Sequence, residues 1–233
     1  MINIFTSIPP AHANGMQYIS ECVDSWKHHG TVYSVNHPEE IEKIKIDFPD
    51  VVFIPTFQTQ HSLYGKHLVS IDAIFNEIEF RHTDKSMFIN SDCSLIENKD
   101  LLLSHFKDGS FTYLHRHNYD NEKETGSIYK NGIDAFLFSN TGIFKHVQKT
   151  HFCIGQTYFD LWYPYAIQMA GMDLFSSNEK VVFHKNHKEQ YSGDNWVYMG
   201  NYCALLMGKM GYKPNQITDF LYKFLRTITQ QIK

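Results

Sequence analysis

Met87-Phe88-Ile89-Asn90-Ser91-Asp92-Cys93-Ser94-Leu95 decides how the chain is read. Its first residues, with Ser86 before them, form a short apolar run of the length and bulk of a buried strand. Polar and acidic residues follow at once, so they stand where that strand leaves the core. In an open α/β sheet, ligands bind in the crevice at the carboxyl ends of the strands. Side chains two apart on a strand face the same way, which aims Asn90 and Asp92 together. Oxygen donors placed like this suit a hard divalent cation that keeps positions open for substrate phosphates. The alternative is that Asp92 caps a helix or turn that follows it.

Working back to the N-terminus, Ile2-Asn3-Ile4-Phe5-Thr6 is a strand stopped by Pro9 and Pro10. Met16, Ile19, Val23 and Trp26 fall near one helical face, with Gly30 as the stop. Thr31 to Val35 and Val51 to Ile54 read as strands on either side of a short amphipathic segment, Glu39 to Phe48. Leu68 to Ile78 repeats apolar residues as a helix packed on a sheet does. The order strand, helix, strand, helix, strand predicts a mostly parallel sheet with right-handed crossovers.

Toward the C-terminus, Asn98 to Phe106 reads as a helix and Ser110 to Leu114 as a strand. From His115 to Gly132 the composition turns polar, which predicts a mobile surface loop able to close over bound substrates. Ile133 to Phe138 and Lys180 to His184 read as strands and Tyr158 to Ala170 as a helix. Helices are expected over Tyr198 to Lys209 and Asn215 to Ile232. The fold class is therefore α/β, a mostly parallel central sheet flanked by helices with a helical C-terminal segment. One domain over residues 1–233 is expected, with 198–233 packed on it.

Composition narrows the function classes. Of 233 residues, 42% are hydrophobic and 15% aromatic, enough apolar material for a core. A net charge of -4 denies the chain the basic field by which nucleic-acid binders collect phosphates. Lys66, His67, Arg81, His82, His115, Arg116 and His117 still leave room for a local basic groove. Every apolar run falls short of the ~20 residues of a membrane span. The first ten residues read as a strand rather than a signal peptide, so a cytoplasmic protein is expected. Cys22, Cys93, Cys153 and Cys203 have no ligand-like or disulfide spacing and read as buried thiols.

Two further stretches carry chemistry. In Phe152-Cys153-Ile154-Gly155-Gln156-Thr157-Tyr158-Phe159-Asp160-Leu161-Trp162-Tyr163-Pro164, a Gly turn precedes an acidic, aromatic helix start. In Val181-Val182-Phe183-His184-Lys185-Asn186-His187-Lys188, a strand ends in an imidazole, with a second imidazole three residues on and two lysines to neutralise a diphosphate.

With Asn90-Ser91-Asp92, these stretches resemble A-type glycosyltransferases, whose Rossmann-like GT-A fold binds a nucleotide-sugar through manganese or magnesium. The resemblance runs from Ile2 to about Gly200 on strand order and short motifs. Asp92 matches the metal-binding second Asp of the Asp-x-Asp motif, and Asn90 replaces the first. The segment from Gly155 to Trp162 is similar to Gly-x-x-x-x-Asp-x-Trp of small A-type transferases, which makes Asp160 the general base of an inverting transfer. The strand end at His184, with His187 three residues on, looks like the C-terminal His position of the family, which makes His184 and His187 candidate metal ligands.

The resemblance also implies donor contacts at Thr6, Ser7, Ile8, Asn36, Lys66, Asp72, Asn90, Ser91, Lys185 and Lys188, and acceptor or sugar contacts at Asp134, Gly155 and Trp162. It implies Mn²⁺ or Mg²⁺ as cofactor, a UDP-sugar as the leading donor, and hexosyl or pentosyl transfer. The acceptor classes are a glycan, a lipid-linked sugar, a protein side chain or a modified DNA base. A binding module without transfer activity is the alternative. A nucleotidyltransferase would need a Gly-rich phosphate loop where Ser7-Ile8-Pro9-Pro10 stands. No integral membrane segment is expected, and the C-terminal helices pack on the core, on a second subunit as a homodimer, or on a membrane surface.

Overall fold

Side-chain alternation along β1 (Ile2–Thr6) and β4 (Ser86–Ile89) builds the molecule in layers. Ile2, Ile4, Met87 and Ile89 face one way, onto Ile19, Val23 and Trp26 of α1 (Met16–Lys27) and Leu102 of α5 (Lys99–Ser104). Phe88 faces the other way and stacks on Phe136 at 5.5 Å between ring centroids. Phe159 closes on it edge to face at 6.0 Å, and Phe75, Phe138 and Tyr163 continue the aromatic layer. Such offset and edge-to-face pairs add to the area that the rings bury. Phe75 lies on α4 (Ile71–Phe80) and Phe159 and Tyr163 on α6 (Phe159–Met169), so helices cover both faces of the sheet.

The computed structural model describes residues 1–81, 84–139, 142–145, 147, 149–187 and 193–220. It adds β2 (Gly30–Asn36), α2 (Pro38–Ile44), β3 (Val52–Pro55), α3 (His61–Tyr64), β5 (Cys93–Leu95), β6 (Phe111–Tyr119), β7 (Ser127–Phe138), β8 (Leu174–Lys185) and α7 (Gly193–Lys209). Sheet order is β3-β2-β1-β4-β7-β6-β8-β5. The pairs β3/β2, β2/β1, β1/β4 and β6/β8 are parallel, and β4/β7, β7/β6 and β8/β5 antiparallel. The expected α/β class with a mostly parallel, helix-flanked sheet is what the chain adopts.

The chain divides into two compact units, Met1–Gly155 with Phe159–Lys188, and Gln156–Tyr158 with Glu189–Lys233. In the second unit Tyr158 packs edge to face on Trp196 at 5.3 Å. Its backbone takes a left-handed φ of 76°, uncommon for a side chain of this size. A Cβ on Gly200 would come within 2.8 Å of the Tyr158 hydroxyl, which accounts for glycine inside α7. Helix is resumed over residues 214–220; the remainder of the helix expected to Ile232, together with Lys188 and His82, lies outside the described residues. No described helix is long and apolar enough to cross a membrane.

The chain departs from the sequence expectations at three places. The polar stretch from His115 to Gly132 is not a mobile loop: β6 and β7 run through it as a hairpin, and only about residues 120–126 turn. Beyond an irregularity in register at His115 its side chains alternate, with His117 and Tyr119 buried, and β6 is hydrogen-bonded on both edges, to β7 and β8. A strand held on both sides tolerates polar residues because pairing with its neighbours satisfies the backbone whatever the composition. Second, the helix expected from Leu68 begins only at Ile71, because Val69 and Ser70 bond to Ile154 and Gln58 instead. Third, β5 follows Asp92 directly, so Asp92 has no helix to cap.

Candidate active site

The parallel strands place the site. Asp92 follows β4, and His12 follows β1, the strand beside it, so both emerge at the carboxyl edge of the sheet. Antiparallel pairing of β5 with β8 sets Cys93 opposite His184, which brings Asp92 to the end of β8. Helix α1 fixes this junction: the Tyr18 hydroxyl donates to the Asp92 carbonyl at 2.8 Å and accepts from the Lys185 N–H at 2.9 Å. Burial holds the Tyr18 phenol far above its usual range, so it stays a neutral donor. The Trp26 indole N–H adds a bond to the Cys93 carbonyl at 2.8 Å.

Three atoms form a near-equilateral triangle at that junction. His184 Nε2 to Asp92 Oδ2, His187 Nε2 to Asp92 Oδ2, and His184 Nε2 to His187 Nε2 are each 3.3 Å. Charge-assisted hydrogen bonds of imidazole to carboxylate run shorter, about 2.7–2.9 Å. Ligand atoms sharing one ion with bonds of about 2.1 Å stand about 3.0–3.4 Å apart, from octahedral to tetrahedral geometry. The triangle has the ligands' spacing, and two imidazoles and a carboxylate on one face of a cation are a known donor set. The residues present therefore fit a divalent ion.

Burial alone would raise the Asp92 carboxyl, but bonds from His12, His184 and His187 override it and hold it well below the usual range. His12, whose Nε2 lies 3.4 Å from Asp92 Oδ2, was missed by sequence reasoning. No pattern marks it, because it sits in a loop eighty residues from its partner.

Asn90 and Asp92 do not act as a pair. The turn into β5 parts them: Asn90 donates its side-chain amide to Asp134 Oδ1 and its N–H to the Asp134 carbonyl at 2.9 Å. Asp134 also holds Arg116 Nη1 at 3.0 Å, with both side chains largely buried. The Arg116 guanidinium lies over the Tyr129 ring at 4.6 Å. A Cβ at residue 132 would meet Tyr129 at 2.6 Å and Arg116 Nε at 3.0 Å, so Gly132 clears the space this stack needs. Asp160, in the first turn of α6, is pushed up to about 7 by burial and by the Asp134 charge, against the opposing pull of Arg116 and the Ile133 N–H. A carboxyl so tuned suits proton transfer near neutrality.

Other expected contacts are spread more widely. Asn36 is buried and donates its amide to the Ile8 carbonyl at 2.8 Å, Ser7 Oγ at 3.2 Å and Glu40 Oε2 at 3.3 Å, while its own oxygen accepts from Ser34. It knits the loop after β1 to β2. Thr6 is buried with its hydroxyl unpaired, Ser91 is buried, Lys185 is half-buried and Lys66 exposed. Asp72 accepts from Tyr163 at 2.9 Å and from the Thr150 N–H at 2.5 Å, which anchors α4. Gly155 is an exposed turn with φ 75°. Trp162 is fully buried beside Phe152 and Tyr165, so it fills the core and offers no ring face to a sugar.

A second imidazole group, His37 with Glu39 and His67, stands near the end of β2. The two rings stack at 3.7 Å with 2° between planes, so their in-plane lone pairs run side by side and do not converge.

The fold is similar to that of S. aureus TarS. Residues 1–349 of TarS in complex with UDP-GlcNAc align with a TM-score of 0.59 at 11% identity, covering 97% of this chain and 72% of that one. The same part of TarS with UDP aligns at 0.54 and 10%, covering 96% and 70%. A further crystal structure of TarS aligns at 0.56 and 11%, covering 97% and 43%. The likeness to TarS is one of fold. No protein-family model and no curated protein matches the chain in sequence.

Proposed function

We propose that this chain transfers a sugar from a nucleoside-diphosphate sugar, a UDP-sugar first among them, to an acceptor hydroxyl. The observation that carries the reading is the triangle of Asp92, His184 and His187 at the carboxyl edge of the sheet. Support comes from the fold likeness to TarS, which has been solved with UDP-GlcNAc and with UDP. When bound, a divalent ion such as Mn²⁺ or Mg²⁺ supplies positive charge to the departing nucleoside diphosphate.

The chain's own residues do the rest. Asp92, His184 and His187 fix where the diphosphate docks, and Lys185 adds positive charge beside it. Asp160 takes the proton of the acceptor hydroxyl: held near 7, it is largely carboxylate just above neutrality and still basic enough to accept. A single displacement with a base of this kind inverts the anomeric centre. Asp134, held by its ion pair with Arg116, supplies the nearby charge that helps keep Asp160 basic.

The test pairs UDP release with donor binding. Asp160→Asn is expected to bind UDP-sugar as wild type does while losing turnover about 10²–10⁴-fold. Undiminished turnover in that variant removes Asp160 as base. A wild type that neither binds nor hydrolyses any sugar nucleotide, with Mn²⁺ or without, removes the reading itself.

A further inference from the structure

We infer that His12 is a positioning residue for the ion site, an N–H donor that holds the ion-binding oxygen of Asp92, and is not a third nitrogen ligand. The inference rests on the metal reading above and concerns a residue that reading does not use. His12, Asp92 and His187 each offer a ligand atom within 4.8 Å of the other two, so distance alone would count His12 among the ligands.

The loop settles the ring's chemistry. His12 Nδ1 accepts from the Asn14 backbone N–H at 3.2 Å. A backbone N–H can only donate, so Nδ1 must carry a lone pair, and the neutral ring then carries its proton on Nε2. That proton is aimed at Asp92 Oδ2, 3.4 Å away. A ring in this tautomer has no lone pair on Nε2 to give an ion. Metal-bound imidazoles have the opposite arrangement, with the remote ring nitrogen acting as donor.

The loop is built to keep this orientation. The Gly15 N–H closes a turn onto the His12 carbonyl at 3.0 Å, and Gly15 takes a φ of 82° that favours glycine. Asn14 Nδ2 donates to the Lys185 carbonyl at 3.2 Å, tying the loop to the end of the strand that bears His184. The His12 and His187 rings also meet edge to face, 86° apart at 4.9 Å. With His12 outside the ligand set, Asp92, His184 and His187 would hold a divalent ion, and so small a set would leave positions for diphosphate oxygens and water.

The test uses the full-length protein and two readouts. Long-range ¹H–¹⁵N spectra report each imidazole's tautomer, before and after adding Zn²⁺ as a diamagnetic ion. Titration followed by the signal of free Mn²⁺ reports affinity. His12 is expected to keep its proton on Nε2 in both states, while the Nε2 resonances of His184 and His187 shift when the ion is added. His12→Phe should weaken Mn²⁺ about 10–100-fold, the usual cost of losing an outer partner of a ligand. His12→Gln, which retains an N–H donor, should recover most of that loss, and His184→Phe should not bind detectably. Loss of the His12 Nε2 proton when Zn²⁺ is added, or Mn²⁺ affinity in His12→Phe equal to wild type, overturns the inference alone. A wild type that takes up no ion overturns it together with the metal reading.

Discussion

For Asp160, the proposed base, the surroundings fix a pH signature at the scale of a single residue. Burial and the Asp134 charge both favour its neutral form, which places its carboxyl at about 7. Turnover should therefore rise with pH, reach half its plateau near pH 7, and lose this limb in Asp160→Asn. The same shift has a thermodynamic counterpart. In the unfolded chain Asp ionises near about pH 4, so the raised folded value contributes stability that is full below that point and lost as pH rises through about 7. Measured against Asp160→Asn, wild-type melting temperature should fall across that window; a difference independent of pH would contradict the assignment.

Asp160 was visible in the sequence because an acidic residue follows a Gly turn at a helix start, and Asp92 because an apolar strand ends just before it. His12 was not, since only the fold brings it to Asp92. Trp162 misled for the opposite reason: an aromatic in a motif looks the same whether it faces a sugar or, as here, the core.

Among elements, α1 is what holds the site together. One phenol joins β5 and β8 through the Asp92 carbonyl and the Lys185 N–H. Removing a buried hydroxyl leaves both partners unsatisfied, a cost of about 1–3 kcal/mol. Tyr18→Phe should lose about that much stability in urea unfolding and also weaken Mn²⁺ binding, since Asp92 immediately precedes one of the two joined strands and His184 lies on the other. Loss of stability with unchanged ion affinity would confine Tyr18 to the core. Strand periodicity made β1, β2, β3 and β4 readable, since their apolar runs are dense and end at Pro or Asn. The β6/β7 hairpin was hidden because its residues are polar on the face where Arg116 meets Asp134, so burial alternates without hydrophobic alternation. Strand β5 is too short for any period, and β8 pairs beyond the apolar part that marked it.

For the whole molecule, the sheet acts as a frame that puts residues at the ends of β1, β4 and β8 onto one edge, and this couples ligand uptake to folding. Asp92, His184 and His187 meet only when β4, β5 and β8 are in register, so an ion bound by all three binds the native chain and not the unfolded one. Free ion at about a hundred times its dissociation constant then adds about 2.7 kcal/mol to stability. In a chain of this size each kcal/mol raises the melting temperature by about 2–4 °C, so the expected rise is about 5–11 °C, reversed by a chelator. Asp92→Ala should abolish the rise. On the proposal that an ion held by Asp92, His184 and His187 receives the diphosphate, UDP should raise the melting temperature further with Mn²⁺ present and hardly at all without it. An equal UDP-induced rise in the presence of chelator would mean that the nucleotide is held by protein groups alone, and the triangle at Asp92 would then have another use.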